Sequence, residues 1–144
     1  MYQKILVPVD ESEAAMRALA EACRLAQKTQ AALCAVHIRE YAPMAWGETG
    51  LTSNEAHDEV VSRVQEILRQ YPIESEVVGL DNSGEKVAKI ICQEAKQRHC
   101  DLIIMGTHGL TGLMHLLMGS VAEGVLRHAK MPVMLIRQNE DNEQ

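Results

Sequence analysis

Leu102-Ile103-Ile104-Met105 leads into Gly106-Thr107-His108-Gly109, and after nine further residues the chain reaches Gly119-Ser120-Val121. The apolar run is typical of a buried strand, and Ser120 with Glu123 three residues later is typical of a helix start. Glycine lets backbone N–H groups come close to an anion, and the first helical turn adds unpaired N–H groups and a positive dipole end. The stretch therefore predicts a strand, a loop and a helix that together form a phosphate cradle.

Strand and helix patterns alternate along the rest of the chain. Short apolar runs predict strands, and apolar residues at helical spacing predict helices. Capping boxes are predicted for Asp10 with Glu13 and for Asn82 with Glu85. Residues 39–53 have no regular pattern and predict a loop. The predicted strands are residues 4–10, 31–38, 74–80, 102–105 and 132–136, and the predicted helices end near residues 30, 71, 98 and 129.

This alternation predicts an α/β fold with an open five-stranded parallel sheet and helices on both faces. Residues 74–80 begin with polar residues and predict an edge strand. In such sheets ligands bind beyond the carboxyl ends of the strands, where the strand order reverses. We expect residues 1–138 to form a single domain and residues 139–144 a polar C-terminal tail.

Composition narrows the possible functions. The chain of 144 residues has a formal net charge of −6, which argues against a nucleic-acid surface but not against nucleotide binding. The four cysteines have neither C-x-x-C nor zinc-ligand spacing, and we expect buried free thiols. No signal peptide is recognised, and no apolar run approaches the roughly 20 residues of a membrane span. These observations predict a cytoplasmic protein that binds neither nucleic acid nor membrane.

The glycine spacing resembles that of the universal stress protein family. Its nucleotide-binding branch carries the motif G-x2-G-x9-G-[ST], which Gly106, Gly109, Gly119 and Ser120 match. The resemblance extends over nearly the whole chain. It implies a Rossmann-like sheet with strand order 3-2-1-4-5, so that the first and fourth strands border the ligand crevice.

The resemblance also implies a bound ATP and a role for each site residue. Ile38 would pack on the adenine, Met105 and Gly106 would border the ribose, and Thr107 would follow them into the loop. The adenosine side would be lined by Pro8, Val9 and Asp10. The phosphates would be wrapped by His108, Gly109, Leu110, Thr111, Gly119, Ser120 and Val121, with Mg²⁺ held through the phosphates.

Several residues have a second interpretation. Asp10 fits either a nucleotide contact or a helix cap alone, and His108 fits either a ligand contact or an exposed loop. His37, on a buried strand, is expected to be a core histidine with a satisfied hydrogen bond. The spacer of residues 110–118 contains no Lys or Arg, which leaves AMP or ADP open as the ligand.

The favoured function is an ATP-binding regulator of stress or energy response with little or no turnover. We identify no catalytic residue and no protein metal ligand. The alternatives are a slow ATPase, in which Asp10 or His108 positions water, and an interaction module that needs no nucleotide. A regulatory protein partner is expected but not identified. The resemblance and the apolar edge strand Pro132 to Ile136 predict a homodimer formed through that strand.

Overall fold

The structure of the protein, a computed structural model, describes residues 1–43, 49–51, 54–107 and 119–137. Strands and helices alternate within these ranges, as the apolar periodicity predicts, apart from two additional short strands between residues 41 and 51. None of the helices described is both long and apolar enough to cross a membrane. The elements are β1 (Lys4–Pro8), α1 (Glu13–Thr29), β2 (Ala32–Arg39), β3 (Tyr41–Pro43), β4 (Thr49–Leu51), α2 (Asn54–Leu68), β5 (Ser75–Asp81), α3 (Val87–Gln97), β6 (Leu102–Gly106), α4 (Ser120–His128) and β7 (Val133–Ile136).

The main sheet has five parallel strands in the order β5-β2-β1-β6-β7. Counted along the chain, these are its third, second, first, fourth and fifth strands, so the predicted order 3-2-1-4-5 is confirmed. β5 lies at one edge, as its polar start predicts, and β7 lies at the other. The strand order reverses between β1 and β6, and the carboxyl ends of these two strands border the crevice.

Successive residues of each strand enter two different cores, because side chains alternate between the faces of a sheet. Ile5 and Val7 pack with α1 and α2, whereas Leu6 packs with α3 and α4. On β6, Ile104 faces the first pair of helices and Ile103 the second. Helices cover both faces, which confirms the predicted α/β architecture.

α1 has a different cap from the one predicted. Its N-cap is Ser12, whose Oγ accepts a hydrogen bond from the Ala15 N–H at 3.1 Å. The Asp10 Oδ1 accepts from the Ser12 N–H at 2.8 Å, so Asp10 closes a turn before the cap. The predicted capping box of Asp10 with Glu13 is therefore wrong, because the helix begins two residues too late for Asp10 to cap it.

The predicted cap of α3 is also wrong. The N-cap of this helix is Lys86, with no side-chain hydrogen bond to the first turn. Asn82 instead closes the turn between β5 and α3, donating from Nδ2 to the Glu85 carbonyl at 3.1 Å and accepting from the Glu85 N–H at 2.8 Å. Gly84 supports this turn with a φ of +82°.

α4 begins at Ser120 with Gly119 as its N-cap, so the predicted capping by Ser120 is wrong. The Glu123 N–H donates to the Gly119 carbonyl at 3.0 Å, which places Ser120 at the first helical position. A residue in that position has helical backbone angles and cannot reach back to cap the turn. The Ser120 side chain is exposed and free of a capping role.

Two further predictions need correction. Within residues 39–53, predicted as a loop, β3 and β4 form an antiparallel pair in which Ala42 lies opposite Gly50. α2 ends at Leu68 rather than at Tyr71. The Tyr71 N–H donates to the Leu68 carbonyl, three residues earlier, at 3.2 Å. A bond of this spacing closes a tighter turn than the α-helix has, so the helix does not continue to Tyr71.

Candidate functional site

The candidate site lies at the carboxyl edge of the sheet, where β1 and β6 end side by side. These strands pair in parallel register, with Ile5 opposite Leu102. Beyond β1, the Val9 N–H donates to the Val36 carbonyl of β2 at 2.8 Å, and Val9 is buried. The predicted adenosine-side residues, Pro8, Val9 and Asp10, thus lie at the end of β1, which pairs with β2 on one side and with β6 on the other.

Gly106 brings α1 close to the end of β6. A Cβ at this position would lie 2.8 Å from the Ala14 Cβ and 2.9 Å from the Ala14 carbonyl carbon, closer than real Cβ contacts. Only glycine lets the first turn of α1 approach the strand this closely. The glycine that the motif assigns to ligand binding therefore also has a packing role.

Thr107 joins the end of β6 to the start of α4. Its side chain is buried, and its N–H donates to the Ile136 carbonyl of β7 at 3.0 Å. Its carbonyl accepts from the Gly119 N–H at 2.6 Å. These bonds bring the two described ends of the glycine motif together at the crevice, although twelve positions separate them in the chain.

Ile38 and Met105 lie on the same face of the sheet, toward α3 and α4. Met105 is buried and Ile38 is partly buried at the end of β2. Pro8 and Asp10 are half-buried at the end of β1. The predicted adenosine-side and ribose-side residues are thus distributed over the ends of three adjacent strands.

The predicted phosphate-binding residues are described only in part. Gly119, Ser120 and Val121 form the start of α4, where the first N–H groups of a helix have no partner within it. Four of the predicted residues, His108, Gly109, Leu110 and Thr111, lie outside the described part of the chain. Their contribution to a phosphate site stays a prediction.

A groove of about 920 Å³ runs between α3 and α4 and reaches Ser120. The helices pack closely here, since a Cβ on Gly124 would lie 2.6 Å from the Ala88 Cβ. Charged side chains line much of the groove. Those on its walls are Glu40, Glu85, Lys86, Lys89, Lys96, Glu123, Arg127 and Lys130.

Beside the crevice lies a histidine pair that the sequence patterns did not predict. His37 on β2 is buried, and its Nδ1 lies 2.7 Å from the Nδ1 of His57 on α2. The prediction of a satisfied core histidine is confirmed, but its partner was not foreseen. Burial, and then the neighbouring His57, lower the pKa of His37 from 6.5 to about 4.

Gly79 makes room for this pair. It lies directly opposite His37 in the register of β2 and β5, and a Cβ on it would lie 2.5 Å from the His57 Nε2. An isolated glycine within a strand indicates a close approach by another group. That signal was present in the sequence, but it does not identify the group that approaches.

The four thiols behave as the sequence predicts. All are free, and Cys23, Cys34 and Cys100 are buried whereas Cys92 is half-buried. Burial raises the pKa of Cys23 to about 11 and that of Cys34 to about 12, which keeps both thiols protonated at neutral pH. Among the described residues, no group of three or more His, Cys, Asp or Glu side chains could hold a metal ion.

Comparisons with known proteins agree with this fold. The universal stress protein YxiE of Bacillus subtilis is 30% identical over 149 residues, with 95% of this chain and 100% of the relative covered. Universal stress protein UspA from Lactobacillus plantarum has a TM-score of 0.72 at 27% identity, with 94% and 98% of the two chains covered.

A universal stress protein from Archaeoglobus fulgidus, solved in complex with dAMP, has a TM-score of 0.69 at 26% identity. The match covers 94% of this chain and 98% of that one. The family model described as "Universal stress protein family" matches residues 1–137. The chain belongs to the universal stress protein family.

Proposed function

We propose that this protein binds an adenine nucleotide at the carboxyl edge of its sheet, as the nucleotide-binding branch of its family does. The observation that carries the proposal is the hydrogen bond from the Gly119 N–H to the Thr107 carbonyl. It brings the first turn of α4 to the point where the strand order reverses. Unpaired N–H groups and a helix dipole in that position favour a phosphate group.

The proposed pose follows the three strand ends. The adenine packs on Ile38, the ribose lies beside Met105 and Gly106, and the phosphates lie at the start of α4. The Asp10 carboxylate, which accepts a hydrogen bond from the Ser12 N–H, would contact the adenosine. The dAMP complex of the Archaeoglobus relative supports a nucleoside monophosphate as part of the ligand.

The proposed ligand is ATP with Mg²⁺, with ADP and AMP as alternatives. The residues fit a phosphate group through backbone N–H donors and the Ser120 hydroxyl, which is exposed and has no capping role. Mg²⁺, when bound, would neutralise phosphate charge through the phosphate oxygens. Ser120 would offer its hydroxyl to a phosphate or to the ion.

We propose that the bound nucleotide regulates a cytoplasmic stress or energy response with little or no turnover. Phosphoryl transfer needs a positively charged clamp and a group that orients the nucleophile. Among the described residues that the family motif assigns to the nucleotide, the charged side chain is Asp10, which carries no positive charge. An interaction that depends on nucleotide state, rather than hydrolysis, fits such a site best.

The test is mass spectrometry of small molecules released by acid from freshly purified protein, followed by calorimetric titration with ATP and Mg²⁺. Ser120→Ala should weaken ATP binding about ten- to a hundredfold, since one hydrogen bond to a charged group is lost. Ser75→Ala, on an exposed serine at the opposite end of the sheet, is the matched control and should leave binding unchanged. Steady phosphate release by the unaltered protein would favour a slow ATPase instead.

We further propose a homodimer formed through β7. This strand lies at the sheet edge, and Met134 on it is 39% exposed. Exposed strand edges pair readily with another strand, and a two-fold axis would place two copies of β7 side by side. Light scattering during size-exclusion chromatography should give twice the 16.0 kDa chain mass, and a monomer at micromolar concentration would refute the dimer.

A further inference from the structure

Lys86, at the start of α3, lines the same α3–α4 groove as the start of α4. It is the N-cap of α3, its side chain is exposed, and it makes no side-chain hydrogen bond to its own helix. The groove that it lines also contains Ser120 and Val121. A cation on α3 therefore shares one open space with the helix start to which the proposed function assigns the phosphates.

Two other cations that line the groove are paired. Lys89 lies 3.7 Å from the carboxylate of Glu85, which precedes α3. Arg127, in the last turn of α4, lies 3.5 Å from Glu123. Within the described ranges Lys86 has no such ion pair, so its charge remains available to a ligand. Glu40 also lines the groove and opposes an anion there.

The glycine motif itself supplies no fixed positive charge. Residues 106–121 contain no Lys or Arg, and the segment after β1 contributes the negative Asp10 and Glu11. A polyphosphate carries several negative charges, which an N–H cluster neutralises only in part. A long, flexible lysine on the facing helix is suited to reach the outer phosphates, because its charge lies at the end of a four-carbon stem.

We propose that Lys86 supplies the fixed positive charge for the outer phosphates of the nucleotide, and thereby sets a preference for ATP and ADP over AMP. This inference rests on the proposed function, because it assigns a residue to the same ligand. Under this proposal, the residue that distinguishes ATP and ADP from AMP lies at the start of α3, outside the glycine motif. Mg²⁺ and Lys86 would then together neutralise the negative charge of the phosphates.

The experiment compares Lys86→Gln with Lys96→Gln by calorimetric titration with ATP, ADP, AMP and adenosine. Lys96 is the matched control, since it lines the same groove on the same helix, ten residues or about 15 Å further along. Lys86→Gln should weaken ATP binding about tenfold and leave adenosine binding unchanged. Lys96→Gln should bind all four ligands as the unaltered protein does, and Lys86→Arg should retain ATP affinity.

The outcomes separate the two claims. If the unaltered protein binds ATP and Lys86→Gln binds it equally well, the role of Lys86 is refuted while the proposed function stands. If adenosine binding falls as much as ATP binding, Lys86 does not act on the phosphates and the inference is again refuted. If the unaltered protein binds none of the four ligands, the proposed function fails and the inference fails with it. Circular dichroism of each variant checks that the fold is retained.

Discussion

The histidine pair predicts a loss of stability as the pH falls below neutral. Burial and the neighbouring His57 lower the pKa of His37 to about 4, whereas an unfolded histidine titrates near 6.5. Between these values the unfolded chain binds more protons at this position than the folded protein does. The free energy of unfolding therefore falls as the pH drops from about 6.5 to about 4, and His37 contributes no pH dependence above that window.

The size of the effect follows from the two pKa values. Linkage gives a loss of about 1.2 kcal/mol at pH 5.5 and of about 2.4 kcal/mol at pH 4.5, relative to pH 7. The charged groups that act on His37 are His57 on α2, Asp10 after β1 and Arg39 on β2. Of these, Asp10 favours the protonated form, whereas His57 and Arg39 oppose it.

Urea unfolding at pH 7, 5.5 and 4.5 measures this loss for the unaltered protein and for His37→Gln. The variant is less stable at pH 7 but should lose about 2 to 3 kcal/mol less than the unaltered protein on acidification. His99→Asn is the control, because His99 is exposed and its φ of +59° suits asparagine. If His37→Gln loses stability as steeply as the unaltered protein, the buried neutral histidine is not the cause and the reasoning is refuted.

Three further predictions concern stability and are measured by urea unfolding at pH 7. Gly106→Ala should cost about 1–3 kcal/mol, because its Cβ would lie 2.8 Å from the Ala14 Cβ; an unchanged midpoint would contradict the packing role. Ser12→Ala should cost about 1 kcal/mol by removing the cap of α1, whereas Ser120→Ala should stay within about 0.5 kcal/mol because Ser120 caps nothing. Leu19→Ala should cost about 2–5 kcal/mol, since this side chain is fully buried between α1 and the sheet.

The sheet was predictable because its signals are local and repeated. Ile5-Leu6-Val7 and Leu102-Ile103-Ile104 are apolar at every position, as strands buried on both faces must be. The alternation of such runs with helical periodicity indicates parallel pairing without any knowledge of contacts. The strand order itself came from the family resemblance, and the structure confirms it.

The helix caps were not predictable to the residue. The sequence offers two overlapping N-cap candidates for α1, Asp10 and Ser12. The choice between them depends on where β1 ends and the helix can begin. In the structure Ser12 is the N-cap, and Asp10 accepts a hydrogen bond from the Ser12 N–H. Helix boundaries read from sequence commonly shift by a few residues for this reason.

The histidine pair shows a different limit. His37 and His57 are twenty positions apart, and their contact depends on how α2 packs over β2 and β5. Sequence periodicity gives the buried face of a helix but not which residue of a facing strand it meets. Gly79 was the one local signal, and its meaning is clear only once the register opposite His37 is known.

A ¹H–¹⁵N correlation spectrum of nucleotide-free protein, titrated with ADP and Mg²⁺, tests most directly whether a nucleotide binds where β6 ends and α4 begins. We expect the largest amide shifts at Gly106, Thr107, Gly119 and Ser120, with Ser75 at the opposite end of the sheet unmoved. No shifts at millimolar ADP, or shifts confined to that opposite end, would contradict it.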